Sequence, residues 1–140
     1  MIVLDTNVII DLGRGRSGVK KKIEYFKEAE FAISAITIQE IYVGLGYILE
    51  KHGKELYEKN KEKSQKLLED YTILKITRPI LELSGLKKGK LRAKGVIIEI
   101  QDLIIGSTAE ILGAEKIITR NPKHFEVFKV PIESYDWNKI

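Results

Sequence analysis

The sequence contains no cysteine, one methionine, one tryptophan and only two histidines among its 140 residues. Without cysteine it can form neither disulfides nor thiolate metal sites, which leaves oxygen atoms and histidine as possible metal ligands. The two histidines, His52 and His124, are far apart in the chain, and neither has a second histidine at ligand spacing. We therefore expect any metal site to be rich in oxygen ligands. The absence of disulfides also favours a cytoplasmic location.

Long apolar runs are absent as well. No uncharged stretch approaches the roughly 18 residues of a transmembrane helix, and the amino terminus has no basic leader. We therefore expect neither a membrane span nor a signal peptide. Hydrophobic residues make up 44% of the chain, which suits a single domain over residues 1–140 with its own core. The net charge of +4 is compatible with a polyanionic partner.

Short apolar segments alternate with amphipathic ones along the chain. The apolar segments predict strands at residues 1–4, 31–34, 72–76, 115–119 and 129–132. The segments between them predict helices at residues 8–12, 19–30, 37–51, 54–70, 77–92 and 101–112. Strands that alternate with helices are typical of a parallel sheet with right-handed crossovers. The sequence thus predicts an α/β domain of three layers, with a central, mainly parallel sheet flanked by helices.

Four polar residues come just after a predicted strand or in the first turn of a helix. They are Asp5, Glu40, Asp102 and Asn121. In parallel sheets ligands collect beyond the carboxyl ends of the strands. Three carboxylates brought together repel one another and need a cation, and Mg²⁺ or Mn²⁺ suits an all-oxygen site. Such an ion can activate a bound water and neutralise charge on a phosphate, so the pattern favours metal-dependent phosphodiester hydrolysis.

Each of these residues also has a structural explanation when it is taken alone. Thr37 and Glu40 fit a capping box at a helix start. Asp102 would interact favourably with a helix amino terminus, and Asn7 and Asn121 are good N-caps. Asp5 is the exception, because it lies between apolar neighbours without an evident partner. The functional interpretation therefore rests on the joint pattern.

Four short motifs, in this order, resemble those of the PIN-domain ribonucleases. They are Ile2–Asn7, Ile38–Ile41, Ile100–Ala109 and Ile117–Phe125. Together they extend over nearly the whole chain, about residues 1–132, and the size of the chain is similar to that of the VapC toxins of toxin–antitoxin pairs. The resemblance implies an Mg²⁺- or Mn²⁺-dependent endoribonuclease that acts on RNA. It also implies inhibition by a small antitoxin protein and assembly as a homodimer.

The resemblance further implies roles for eight residues. The metal ligands would be Asp5, Glu40 and Asp102. Asn121 would complete the catalytic set at a position where many relatives have aspartate, and its neutral amide is a weaker ligand. The residues that would contact the substrate or support the site are Thr6, Asn7, Thr119 and Arg120.

Two other functions fit part of the pattern. A phosphohydrolase of the haloacid dehalogenase type also places an aspartate after its first strand, but it would have a second aspartate where this chain has Asn7. A PIN-like RNA-binding module with weak or no catalysis would explain Asn121, although the three acids argue against it. Trapping a phosphate on Asp5 would identify the first, and a failure to bind Mn²⁺ would identify the second.

Two further segments have more than one interpretation. The basic run Lys87, Lys88, Lys90, Arg92 and Lys94 is either a solvated helix face or a contact for the RNA backbone. Four apolar residues of the middle helices are either part of the core or the lining of a groove, in the region where an antitoxin helix docks in VapC-like proteins. These four residues are Tyr42, Leu45, Leu49 and Tyr57.

Overall fold

The computed structural model describes residues 1–138, and within them five parallel strands form one sheet in the order β3-β2-β1-β4-β5. The strands are β1 (Ile2–Leu4), β2 (Phe31–Ser34), β3 (Thr72–Leu74), β4 (Lys116–Ile118) and β5 (Ile132–Glu133). The helices are α1 (Thr6–Gly13), α2 (Ser17–Tyr25), α3 (Ala35–His52), α4 (Lys54–Leu68), α5 (Arg78–Ala93) and α6 (Ile100–Ile111). The predicted fold class, an α/β domain with a parallel sheet flanked by helices, is confirmed.

The central strand β1 is buried on both faces, as parallel strands between two helical layers should be. Val3 packs into one hydrophobic cluster with residues of α6, whereas Ile2 and Leu4 pack into a second cluster with residues of α1. Side chains of a strand alternate between its two faces, so three residues suffice to join both clusters. This packing fixes β1 in the middle of the sheet and places the residue that follows it, Asp5, at the centre of the carboxyl edge.

One glycine allows α6 to approach its neighbours. Gly106 is in the middle of α6, and a β-carbon added there would clash with the ring of Phe128, which is itself buried. The ring therefore occupies the space that a side chain would fill. This contact holds α6, which bears Asp102, against the segment that follows β4.

Two predicted helix starts are wrong. Asn7 is not an N-cap, because α1 already begins at Thr6 and its N-cap is Asp5. Thr37 does not cap α3, because the Ser34 hydroxyl accepts a hydrogen bond from the Ile36 amide at 3.2 Å and the helix begins at Ala35. Ser34, the last residue of β2, is thus also the N-cap of α3, which begins at the next residue. With Thr37 inside the helix, the capping box no longer explains Glu40.

The other differences lie at element boundaries. The last strand is at Ile132–Glu133 rather than at residues 129–132, because only Ile132 and Glu133 pair with β4. A short 3-10 helix at Pro122–Phe125 follows β4, with Asn121 at its N-cap position. Among the described residues, no helix is both long enough and apolar enough to cross a membrane.

Candidate active site

The carboxyl edge of the sheet brings together the chain segments that contain the predicted site residues. Asp5 directly follows β1, and the neighbouring strands β2 and β4 lead to Glu40 and to Asn121. Asp102 lies in the first turn of α6, which packs against β2, β4 and α3. The charges of Glu40 and Asp102 both act on Asp5. The structure therefore places the three acids in one electrostatic cluster, which we call the acid cluster.

Asp5 is the most perturbed of the three acids. Its side chain is 2% exposed, and burial raises the pKa of its carboxyl to about 6, with smaller increases from the charges of Asp102 and Glu40. A hydrogen bond of 2.8 Å from the Thr119 hydroxyl to Asp5 Oδ2 opposes this rise. A buried carboxylate of this kind is costly to ionise, and a nearby cation would relieve the cost.

Glu40 is held by a relay of two hydroxyls. Burial raises the pKa of Glu40, a hydrogen bond from Thr6 lowers it, and the charge of Asp102 raises it. The hydroxyls of Thr6 and Thr37 are 2.9 Å apart in a buried position. Because an ionised carboxylate can only accept, Thr6 donates to Glu40 and Thr37 in turn donates to Thr6. Thr6 thus donates to Glu40 inside the protein, and its role in contacting substrate or supporting the site stays a prediction.

Asp102 is paired with His124, a contact that the sequence did not predict. Nδ1 of His124 lies 2.6 Å from Oδ2 of Asp102, and the histidine belongs to the 3-10 helix that follows β4. The Asp102 side chain is 17% exposed and that of His124 is 45% exposed, so solvent reaches this pair. The signal for this contact was the position of His124, three residues after Asn121 at the same edge of the sheet.

Thr119 connects Asn121 to Asp5 through two hydrogen bonds. Its hydroxyl donates to Asp5 and accepts from the backbone amide of Asn121 at 2.9 Å. Asn121 precedes the 3-10 helix, and its side chain makes no capping hydrogen bond to the described residues of that helix. The Asn121 side-chain amide is therefore not committed to a capping role, whereas the Thr119 hydroxyl already donates one hydrogen bond and accepts another inside the protein.

A second, buried polar cluster lies beside the acid cluster and was missed from the sequence. Asp11 is fully buried, and both of its carboxylate oxygens accept hydrogen bonds from Nη1 of Arg120, at 3.1 and 3.3 Å. The Tyr135 hydroxyl donates to the same carboxylate at 2.7 Å, and Nη2 of Arg120 donates to Oδ1 of Asn7 at 3.2 Å. The guanidinium also stacks on the Trp137 ring at 4.8 Å. An acid within the apolar segment around Ile10 was the signal for this cluster.

The donor chemistry of the acid cluster fits a divalent cation that prefers oxygen ligands. Within residues 1–138, however, no three acidic or histidine side chains are close enough together to hold a metal ion as they stand. Each carboxylate is instead engaged by its own partner, namely Thr119, Thr6 or His124. The charge of Asp102 raises the pKa of Asp5 and of Glu40 over a longer range than coordination, so the two observations are compatible. A bound cation would have to draw the three carboxylates closer together.

An open groove of about 290 Å³ leads away from Glu40 between α1, α3 and α4. Its walls are mainly apolar, and Arg14 and Lys63 lie along it. Of the four residues predicted to line such a groove, only Leu45 does so; the lining instead includes Ile41 and Ile48 of α3. The groove is thus shifted around α3 from its predicted position, toward the acid cluster.

Two lysines of the basic run are engaged within the protein. Nζ of Lys87 donates to the carbonyl of Val127 at 2.6 Å, and Nζ of Lys88 donates to the carbonyl of Ile98 at 2.8 Å. Both interactions support the packing of segments near α6 and weaken the interpretation of these two lysines as RNA contacts. Lys90, Arg92 and Lys94 are exposed.

Comparison with known proteins gives one family match and a set of structural matches. A model of the PIN-domain family matches residues 2–129. A search of curated proteins found no match. The family match, which extends over most of the chain, displaces the haloacid dehalogenase alternative.

Three similar solved structures are toxin–antitoxin complexes. VapBC2 from Rickettsia felis, bound to a DNA fragment from its promoter, has a TM-score of 0.82 at 25% identity, with 97% of this chain and 100% of that chain covered. VapBC-1 from nontypeable Haemophilus influenzae has a TM-score of 0.78 at 28% identity, covering 99% and 100%. A toxin–antitoxin complex from Klebsiella pneumoniae has a TM-score of 0.71 at 28% identity, covering 100% of both chains.

Proposed function

The chain belongs to the PIN-domain family, and from this premise we propose that it is a divalent-metal-dependent endoribonuclease and the toxin of a VapBC-type pair. The observation that carries the proposal is the electrostatic cluster of Asp5, Glu40 and Asp102 at the carboxyl edge of the sheet. Three coupled carboxylates, one with a pKa raised to about 6, form a site that is costly without a cation. Perturbed acids at a strand edge are typical of a catalytic site.

The acid cluster would hold Mg²⁺ or Mn²⁺ through the carboxylates of Asp5, Glu40 and Asp102. When bound, such an ion lowers the pKa of a coordinated water and neutralises charge on the scissile phosphate. Asn121 occupies the fourth position, and its neutral amide adds no charge there. Three carboxylates and one amide therefore favour a single strongly held ion over two.

The hydroxyls around the acids orient them. Thr119 fixes one oxygen of Asp5, and the relay from Thr37 through Thr6 fixes Glu40. Both hydroxyl donors stabilise the ionised carboxylates, which are the forms that bind a cation. His124 holds Oδ2 of Asp102 in the same way. These residues support the site without themselves contacting the RNA.

Substitution of the acids tests the nuclease proposal. Asp5→Asn and Asp102→Asn should abolish cleavage of single-stranded RNA in Mn²⁺ while the far-UV circular dichroism stays that of the wild type. Asp70→Asn, which changes an exposed aspartate two residues after α4, is the matched control and should cleave normally. Equal cleavage by the wild type and both site variants would contradict the proposal. Calorimetric titration with Mn²⁺ separates the nuclease from a pure RNA-binding module, which has no reason to bind the ion.

The groove between α1, α3 and α4 is the proposed binding site of the antitoxin. Its apolar walls suit the apolar face of a helix, and Arg14 and Lys63 along it would attract an acidic partner. The solved structures of similar fold are toxin–antitoxin complexes, which supports a partner of this kind. Co-expression with the protein encoded by the neighbouring open reading frame should yield a stable complex.

A pair of adjacent substitutions tests the location of the partner. Ile48→Glu places a charge in the groove, whereas Leu49→Glu places the same charge beside it on the exposed side of α3. We expect Ile48→Glu to prevent co-purification of the antitoxin and Leu49→Glu to retain it. Loss of the complex in both variants, or in neither, would place the partner elsewhere.

We also propose that the chain forms a homodimer. Several large apolar residues are exposed on α5, on the loop after it and at the start of α6, including Leu86, Ile97 and Ile100. Ile97 is 86% exposed, which is unusual for isoleucine and suits a contact with a second copy. Light scattering should give twice the chain mass for the wild type and for Tyr25→Asp on α2, and the single mass for Ile97→Asp. A monomeric wild type would refute the dimer.

A further inference from the structure

The cluster of Asp11, Arg120 and Asn7 has a geometry that determines the orientation of one amide group. Asn7 and Asp11 are one helical turn apart on the same face of α1. The guanidinium of Arg120, which comes from the loop after β4, bridges them: Nη1 donates to Asp11 and Nη2 donates to Asn7. The ring of Trp137 covers the guanidinium.

Arginine can only donate hydrogen bonds. The atom of Asn7 that faces Arg120 must therefore be the carbonyl oxygen Oδ1, which leaves the two N–H donors of Nδ2 on the other side of the amide. Asn7 is two residues after Asp5, in the first turn of α1, and it is partly exposed. A donor at this position lies next to the acid cluster, where an oxygen of the RNA phosphate would have to approach.

Arg120 itself is not available as a cation for the substrate. Its side chain is 21% exposed and its charge is paired with that of Asp11, which is 1% exposed. Asp11 is further held by the Tyr135 hydroxyl. An ion pair buried to this extent is broken only at high cost, so the pair is a fixed part of the scaffold. Its distinctive feature is that the second terminal nitrogen of the guanidinium, Nη2, donates a hydrogen bond to Asn7.

We propose that Asp11 and Arg120 are positioning residues that hold Asn7 as a hydrogen-bond donor to the RNA phosphate. This inference rests on the proposed ribonuclease function. Asp11 orients the guanidinium, the guanidinium fixes Oδ1 of Asn7, and Nδ2 of Asn7 contacts a non-bridging phosphate oxygen. The roles divide accordingly: Asn7 touches the substrate, whereas Arg120 and Asp11 act through it.

A double-mutant cycle on RNA binding tests this chain of contacts. The probe is a 5′-fluorescein single-stranded RNA of mixed sequence, and its Kd is measured by fluorescence anisotropy in EDTA, so that no cleavage occurs. Asn7→Ala removes the donor. Arg120→Lys keeps a cation for Asp11 but removes the fork that reaches Asn7. Arg78→Lys makes the same substitution at a side chain that is 88% exposed and paired with Glu82, and it is the matched control.

We expect Asn7→Ala to raise the Kd about tenfold, as the loss of one hydrogen bond to a charged group would. Arg120→Lys should raise it several-fold, and Arg78→Lys should leave it unchanged. The decisive result is that the double variant binds RNA no more weakly than Asn7→Ala alone. Melting temperatures report any loss of stability separately, since a merely structural Arg120 would lower the melting temperature without this coupling.

Three results would overturn the inference. Multiplicative effects of Asn7→Ala and Arg120→Lys, or single variants that bind RNA as the wild type does, would remove the positioning role while the nuclease proposal stands. A wild-type protein that neither binds nor cleaves RNA would refute the proposed function, and this inference with it.

Discussion

Replacing Asp5 by asparagine should stabilise the metal-free protein near neutral pH. The pKa of the Asp5 carboxyl rises from the ordinary 3.8 to about 6 on folding, mainly because of burial. The folded protein therefore binds this proton more tightly than the unfolded chain, and stability falls as the pH rises from about 4 to about 6. At 1.36 kcal/mol per pKa unit, the loss approaches about 3 kcal/mol at neutral pH. Asparagine is isosteric, can still accept from Thr119 and has no charge to bury.

Thermal unfolding in EDTA, followed across this pH range, measures the effect. The unfolded Asp5 is already ionised at about pH 5, whereas the folded residue ionises around pH 6, so roughly 1.4 kcal/mol of the penalty develops between about pH 5 and pH 7. For a domain of this size that widens the gap in melting temperature between Asp5→Asn and the wild type by about 5 °C. Titration of all other groups is common to both proteins and cancels in the difference.

The control is Asp70→Asn, which makes the same substitution at an exposed carboxylate outside the acid cluster. A gap of constant size between about pH 5 and pH 7 would refute the argument, because it would mean that Asp5 titrates alike in the folded and unfolded chains. The variant should at the same time be inactive, so activity and stability change in opposite directions.

Three further outcomes follow from the structure. Mn²⁺ should raise the melting temperature of the wild type more at about pH 7.5 than at pH 5, because protons compete with the ion for the carboxylates of the acid cluster. An equal rise at both pH values would contradict binding of the ion by these carboxylates. Tyr135→Phe should lower the unfolding free energy by about 1.5–3 kcal/mol in urea, because Asp11 loses a buried donor; an unchanged value would show that this donor contributes nothing. Gly106→Ala should destabilise by at least 1–3 kcal/mol through the clash with Phe128, whereas Gly85→Ala, in open space on α5, should stabilise by about 1 kcal/mol.

The fold class, a parallel sheet flanked by helices, could be predicted from the sequence because it depends on local patterns. The apolar segments at residues 1–4 and 31–34 are short and bounded by polar residues, as buried parallel strands are. The starts of α1 and α3 could not be placed as well. Several residues near each start can act as caps, and the position at which the preceding strand ends decides which of them does so. At α3 the cap is Ser34, the last residue of β2.

The acids of the site were identifiable, whereas their partners were not. Asp5 follows β1, Asp102 lies in the first turn of α6, and Glu40 lies early in α3, after β2, so the order of the elements implies their position at the carboxyl edge. The contact between His124 and Asp102 depends instead on how a 3-10 helix packs on α6, for which the sequence has no periodic signal. Their roles as metal ligands remain predictions.

The buried cluster around Asp11 illustrates the same limit. Asp11 was readable as an acid in an apolar segment, and such an acid requires a partner. Its partners, Arg120 and Tyr135, are more than a hundred residues away in the chain. No local pattern connects residues at that separation, so only the folded structure pairs them.

The strand order has a consequence for the newly synthesised chain. β1 lies between β2 and β4, and residues 116–118 of β4 are made more than a hundred residues after β1. While the ribosome still holds those residues, one edge of β1 is unpaired, and Thr119 has not yet reached Asp5. The partially synthesised chain therefore lacks the hydrogen bond that orients its first acid. Under the proposed function, a toxin with this strand order would become active only when its synthesis is almost finished.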